Sequence, residues 1–221
     1  MLTCCVLTAL LGVQPTSPDP ETAARRAVAW LREMKTAVAA APPQRAMPPS
    51  LKPYASMIHH DEIAGSWIIG HAQVLALHDK YRQTKSADEI AWFAAGVPLG
   101  GECEGYIPCY AASADTAYGE YLRRHPQGAH AGEAMRAIIT AVRAAQDLIR
   151  KYPGTFTPKA DCGDLMAVLP KLEDAVQGAE GGDQASASEA IHELASRCEP
   201  QRLDASRNRV GVVRSKRRNA A

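Results

Sequence analysis

The strongest constraint on the fold is a helical hydrophobic period that runs from residue 131 to residue 152. Its apolar residues recur every three or four positions and share one helix face, with charged and polar residues opposite. That face consists of Ala131, Ala134, Met135, Ile138, Val142, Ala145, Ile149 and Tyr152. Pro126 precedes the segment and Pro153 follows it, and proline cannot continue a helix. A long amphipathic helix needs an apolar partner, so the chain is expected to pack helix on helix.

The same period, interrupted by Pro and Gly, predicts further helices along the chain. With the segment above, they cover residues 19–41, 71–84, 86–96, 108–124, 130–152, 164–178 and 184–198. Abundant Ala beside only two Phe and three Trp favours closely packed helices over a β-sandwich. The predicted fold class is all-α, with about six to seven helices in stacked hairpins and two disulfides.

Two helix starts carry capping signals. Asp19 before Pro20 is typical of an N-cap followed by a first-turn proline. Ser86 and Glu89 have the spacing of a capping box, in which each side chain bonds the other residue's backbone N–H. The helix that follows Ser86 is apolar nearly all round, which predicts burial on more than one side.

Proline-rich, apolar and charged stretches divide the chain into six regions. They are a signal-like apolar segment (1–16), an N-terminal helix (17–41), a Pro-rich linker or extended wrap (42–53), a central helical domain (54–160), a disulfide-linked helical hairpin (161–200) and a basic tail (201–221). Within the central domain, residues 62–70 hold β-branched and aromatic residues between glycines. They predict a short strand without an obvious partner, or a buried extended segment or helix start.

The apolar start and the cysteines together favour export. Residues 1–13 have the length of a signal-peptide core and are too short to span a bilayer, although a basic flank and a cleavage site are missing. A buried N-terminal arm is the alternative. Beyond Cys4 and Cys5, four cysteines form an even set typical of a disulfide framework. The predicted localisation is secreted or periplasmic, without a transmembrane span.

The helical pattern also ranks the disulfide pairings. Cys162 opens one predicted helix and Cys198 closes the next, so an antiparallel hairpin brings them to the same end. We therefore predict a Cys162–Cys198 bond, with Cys103 bonded to Cys109 across a short Gly-rich turn.

One stretch resembles a known repeat. The run from Tyr121 to Pro126, followed by Gly128, Ala131, Glu133 and Ala134, resembles the joint between tetratricopeptide repeats. The resemblance covers about one repeat, around residues 86–135, and a generic αα-hairpin with a proline stop explains the same residues. It implies stacked hairpins with a concave face that binds protein.

The Gly-rich turn is the candidate binding site. Glu102 and Glu104 flank Cys103, and Tyr106 follows in the same turn. Two carboxylates on a short constrained loop suit acid–base chemistry or a hard cation, and a charged surface loop is the alternative.

Histidines form the other candidate cluster. His59 and His60 precede His71 and His78, and the last two are about 10.5 Å apart along a helix axis. That distance is too long for two ligands of one zinc ion, so we interpret these histidines as solvated or satisfied in the core. Phosphate-binding, dinucleotide-binding and nucleophilic motifs do not occur, and neither a metal nor a cofactor is predicted.

These observations predict an exported binding or scaffolding protein whose partner is a protein or a cell-envelope component. An enzyme that uses Glu102, Glu104 and nearby histidines is one alternative. The other is a structural component whose basic tail binds anionic surfaces, because residues 201–221 hold seven basic residues and one acidic residue. A net charge of +1 disfavours nucleic acid as the partner. The sequence names no ligand and no oligomeric state.

Overall fold

The structure, a computed structural model, describes residues 19–100 and 103–198. Within these ranges the chain is mainly helical, so the all-α prediction is confirmed. The α-helices are α1 (Pro20–Ala39), α2 (His71–Tyr81), α3 (Ala87–Ala95), α4 (Ile107–Ala114), α5 (Glu120–Arg124), α6 (Ala131–Lys151), α7 (Pro158–Gly178) and α8 (Gln184–Ser196). Short 3₁₀ turns cover Pro49–Tyr54 and Pro153–Thr155. Every predicted helix is present, although α7 begins at Pro158 rather than at residue 164.

The helix predicted over residues 108–124 contains a π turn, Asp115–Gly119, between α4 and α5. The side chain of Arg123 stabilises this turn, since Nη1 donates to Asp115 Oδ1 at 2.7 Å and Nη2 to the Asp115 carbonyl at 3.2 Å. At Gly119 an added Cβ would lie 2.7 Å from Asp115 Oδ1 and 3.2 Å from Leu172 Cδ1. A side chain at position 119 would therefore displace the Asp115 carboxylate where the π turn and α7 pack closely.

Of the three alternatives for residues 62–70, the short strand is the one present, and it has a partner that the sequence did not reveal. Strand β2 (Ser66–Ile69) pairs antiparallel with β1 (Ile58–Asp61), with Ile58 opposite Ile69. The Asp61 carboxylate stabilises the connecting turn by accepting from the N–H groups of Ile63 and Ala64. Strand β1 was missed because two histidines replace the apolar alternation expected of a strand.

Two hydrophobic cores share helix α3. The N-terminal core is formed by α1, the hairpin, α2 and one face of α3, which contributes Ile90 and Ala94. The C-terminal core is formed by α4 to α8 and the other face of α3, which contributes Ala91 and Ala95. The predicted burial of this helix on more than one side is confirmed, and α3 links the two halves of the protein.

The helix starts differ in how they are capped. Asp19 caps α1 as predicted, since its Oδ2 accepts from the Thr22 N–H at 3.0 Å. The capping box predicted for Ser86 and Glu89 is wrong. The Ser86 hydroxyl donates instead to Glu21 Oε1 at 2.7 Å, and the Lys85 N–H donates to Glu21 Oε2 at 2.8 Å. A side chain of α1 therefore holds the start of α3, and the Ser86 hydrogen bond lowers the pKa of Glu21.

The Pro-rich stretch of residues 42–53 lies against the N-terminal core. Leu51, in the 3₁₀ turn Pro49–Tyr54, is fully buried and packs in that core. Of the two alternatives for this stretch, a linker and an extended wrap, the burial of Leu51 favours the wrap. The signal-like segment and the basic tail lie outside the described residues, as do Cys4 and Cys5.

Both predicted disulfides are present. Cys103 is bonded to Cys109, and Cys162 in the first turns of α7 is bonded to Cys198 just after α8. The second bond thus joins the start of α7 to the end of α8, opposite the turn that connects the two helices. Among the helices of residues 19–100 and 103–198, none combines the length and the apolar content that a membrane span requires.

Removing the Cys162–Cys198 bond tests its contribution to stability. We expect Cys162→Ala with Cys198→Ala to lower the free energy of unfolding by about 3–4 kcal/mol, because this bond closes a long loop of the unfolded chain. Cys103→Ala with Cys109→Ala is the matched control and should lower it by about 2 kcal/mol, since its loop is short. Equilibrium denaturation of the two variants and the parent measures both values. A larger loss from the short loop would contradict the expectation.

Candidate binding groove

A groove of about 800 Å³ opens where α1, α3 and α6 meet. Its floor is aromatic and is formed by Trp92 and Phe93 of α3 with Tyr118 of the π turn. Charged residues stand along its walls. They are Arg32 and Lys35 on α1, Glu89 on α3, and Glu133 and Arg136 on α6. We call this concavity the binding groove.

Two smaller hollows continue the binding groove. One, of about 220 Å³, is lined mainly by apolar residues that include Val38, Ile69 and Val97. The other, of about 350 Å³, runs towards α4 and is lined largely by alanines and tyrosines. Gly96 lines all three concavities, so they form one continuous surface around the end of α3.

The cations of the groove differ in their partners. Arg32 lies 3.1 Å from Glu89, and Arg136 lies 2.9 Å from Asp183, which is outside the groove. Lys35 lies with Nζ 6.0 Å from the centre of the Phe93 ring, and in the described part of the chain it forms no ion pair. Lys35 is also exposed. Its charge is therefore available to an anion that enters the groove.

His130 and Trp92 form the polar end of the floor. The two rings stack with centres 4.8 Å apart and planes 6° apart. Nε2 of His130 lies 3.4 Å from Glu89 and Nδ1 lies 3.7 Å from Glu133. The backbone N–H of His130 donates to the Tyr121 hydroxyl at 3.1 Å, which ties the groove floor to the layer beneath it.

That layer is a polar seam between the two halves of the protein, formed by His78, Asp79, Asp88, Tyr121, Arg124 and His125. Tyr121 is almost fully buried, and its hydroxyl donates to Asp88 Oδ1 at 2.5 Å. The other oxygen of Asp88 accepts from the Ala129 N–H at 2.9 Å. Burial, followed by the hydrogen bond to Asp88, strongly raises the pKa of Tyr121. The phenol is therefore neutral at all physiological pH values.

Two histidines meet across the seam. Nε2 of His78, on α2, lies 2.9 Å from Nε2 of His125, just after α5. Arg124 Nη1 lies 2.9 Å from Nδ1 of His78 and also bonds Asp79. Burial lowers the pKa of His125, and His78 and Arg124 lower it further, while Asp88 acts in the opposite direction.

The predicted site residues lie apart from the groove. Glu102 is outside the described residues. Glu104 is exposed in a left-handed conformation at φ 45°, inside the ring that Cys103 and Cys109 close. Tyr106 is 43% exposed, and its hydroxyl bonds Asp164, which raises the pKa of Tyr106 to about 12. A binding role for this turn stays a prediction.

The predicted histidine cluster is dispersed. His59 is exposed, His60 packs edge-on against Trp67 at 5.4 Å, and burial lowers the pKa of His71. Over residues 19–100 and 103–198, no three His, Cys, Asp or Glu side chains come together in a way that could hold a metal ion. Sequence reasoning missed His125 and His130, whose only signal was their place around the turn at Pro126.

Comparison with known proteins identifies no relative. No protein-family model matches this chain, and no curated protein or solved structure matches it significantly. The fold and the geometry of the groove are therefore the basis for a functional proposal.

The Tyr121 hydroxyl can be tested directly. We expect Tyr121→Phe to lower the free energy of unfolding by about 1–2 kcal/mol, roughly 2–8 °C in melting temperature, because Asp88 and the His130 N–H each lose a buried partner. Tyr152→Phe, on a tyrosine that is 48% exposed, is the control and should leave the melting temperature unchanged. Equal effects in thermal denaturation would show that the hydroxyl has no special role.

Proposed function

We propose that this protein is an exported binding or scaffolding protein that holds a segment of another polypeptide in the binding groove. The observation that carries the proposal is the continuous concavity around Gly96, with an aromatic floor and an apolar side hollow. Aromatic side chains in concave, partly desolvated surfaces are typical anchors of protein interfaces.

The groove's chemistry indicates the kind of segment. The hollow beside Phe93 and Val97 suits one branched aliphatic or aromatic side chain. Lys35 lines the same hollow and forms no ion pair within the described residues, whereas Arg32 and Arg136 already pair with carboxylates. A segment with an apolar anchor and neighbouring carboxylates therefore has the best charge complementarity.

The floor is already ordered before a partner arrives. Trp92 rests on His130 and contacts Tyr121 edge-on at 5.3 Å, and hydrogen bonds of the polar seam hold both of those residues. Binding to a preorganised surface loses less side-chain entropy, so more of the contact energy appears as affinity.

Two further observations support an exported protein that binds another polypeptide. Disulfides persist in oxidising compartments, and two link this chain, which supports the proposed secretion or periplasmic location. The tetratricopeptide-like joint around Pro126 supports a concave, protein-binding arrangement, because stacked helical hairpins present such faces.

The two alternatives have less support from geometry. For an acid–base enzyme, Glu104 is exposed and has no hydrogen-bond or ion-pair partner in the part of the chain that the structure describes. The basic tail lies outside that part, so binding of an anionic surface rests on composition alone.

Synthetic peptides test the proposal. The probe is the blocked hexapeptide Glu-Glu-Leu-Phe-Glu-Glu, and the control peptide has Lys in place of each Glu. Backbone amide shifts of the isotope-labelled full chain are followed by NMR during titration. We expect the acidic peptide to shift amides of residues 28–38, 89–98 and 130–137, and the basic peptide to bind more weakly. Absence of shifts in these three ranges would overturn the proposal.

Reversing one charge tests the contribution of Lys35. Lys35→Glu should weaken binding of the acidic peptide about tenfold, because a favourable charge becomes a repulsive one. Arg26→Glu is the matched control, since Arg26 is an exposed cation on the opposite face of α1. An unchanged preference for the acidic peptide in Lys35→Glu would contradict the assigned role.

A further inference from the structure

We propose that the His78–His125 pair is a pH-responsive latch, which holds the polar seam closed at neutral pH and releases it in mild acid. Its effect on the binding groove rests on the proposed function, whereas the latch itself does not. The pair joins α2, which packs in the N-terminal core, to the end of α5, which packs in the C-terminal core.

The ring-to-ring hydrogen bond requires a lone pair on Nε2 of at least one imidazole. Nδ1 of His78 lies 2.9 Å from Arg124 Nη1, which can only donate, and 3.1 Å from Asp79 Oδ1, which can only accept, so either neutral tautomer of His78 has a partner there. In either tautomer, one ring donates from Nε2 and the other accepts on the lone pair of its own Nε2. Once both rings are protonated, neither Nε2 has a lone pair, and two N–H groups face each other 2.9 Å apart. Protonation of both rings therefore breaks the contact and adds like-charge repulsion.

Charged groups surround the pair on every side. Asp79 on α2 and Asp88 on α3 favour protonation, since they lie 3.1 Å from His78 and 3.9 Å from His125. Both carboxylates are already engaged, Asp79 by Arg124 and Asp88 by Tyr121 and the Ala129 N–H. The groups that disfavour protonation are Arg124, which Glu120 partly compensates at 2.7 Å, and Arg82 and Lys85, which line the same cleft as His125.

Together these effects make the closed seam less stable in acid. Burial lowers the pKa of His125 in the folded protein below its usual value near 6.5. As the pH falls below that value, the open or unfolded chain binds the proton first, so the closed seam loses stability. The loss continues until the pH reaches the lowered pKa. The seam is thus fully stable above about pH 7 and weakens progressively in mild acid.

A chain of ring contacts connects the latch to the groove. Tyr121 stacks on His125 with ring centres 5.9 Å apart, and its hydroxyl holds the backbone of His130. Trp92 lies against Tyr121 and stacks on His130. Separation at His125 therefore removes support from the floor on which a partner would rest.

Hydrogen exchange of the full chain at pH 7.5 and 5.5 tests the latch, with protection factors used to remove the intrinsic pH dependence of exchange. In the parent protein, protection of residues 71–81 and 120–130 should fall about tenfold in acid, while α7 and α8 stay protected. His78→Gln should abolish this fall, because the Gln amide bonds either neutral or protonated His125. His192→Gln, at a side chain that is 68% exposed, is the control and should behave as the parent.

Constant protection of the seam in the parent, or an undiminished acid response in His78→Gln, would overturn the latch. If His78→Gln does not fold, NMR titration of the imidazole protons in the parent decides. His125 must then titrate in step with the loss of protection, and titration out of step also overturns the latch.

Binding of the acidic hexapeptide at the two pH values tests the link to the groove. Affinity of the parent should fall about fivefold in acid, and that of His78→Gln should not. If acid lowers protection of the seam but leaves the affinity for the peptide unchanged, the link between the latch and the groove is overturned. Absence of peptide binding at pH 7.5 instead contradicts the proposed function, and hydrogen exchange still decides on the latch.

Discussion

The structure depends on the burial of α3 against both hydrophobic cores. A helix this short has one face for each core, and both faces carry small or branched apolar side chains. Its start is then too enclosed to be capped by water alone, and groups from other helices take over. Glu21 of α1 accepts a hydrogen bond from the Ser86 hydroxyl, while Asp88 accepts hydrogen bonds from the Tyr121 hydroxyl and from the Ala129 N–H. The two halves of the protein are joined through these contacts.

The polar seam adds specificity to that junction. Buried hydrogen bonds between Asp88, Tyr121 and the turn after α5 are worth little in net stability when intact, and much more when one partner is removed. They therefore fix one relative placement of the two cores. They also hold Trp92 and His130 in position, because Tyr121 packs against Trp92 and its hydroxyl bonds the backbone of His130.

Local signals in the sequence were sufficient for the helices and for the Asp19 cap, but not for the start of α3 at Ser86 or for the candidate site. Period and proline stops define α6 and the α7–α8 hairpin, because an amphipathic face and a blocked N–H act within a few residues. The π turn was missed because it depends on Arg123 and on the approach of α7 at Gly119. Glu104 was predicted as a site residue because it is a carboxylate in a constrained turn. The groove was not predicted, because its residues are far apart in the chain.

The sequence by itself determined the helical class, the Asp19 cap and both disulfide pairings, because each follows from spacing along the chain. Only the tertiary structure decided which polar groups meet. His78 and His125 are 47 residues apart, and nothing in the local pattern of either one marks the other as its partner. Hydrogen bonds and ring contacts act over a few ångströms, so a site made by several helices exists only once those helices have packed.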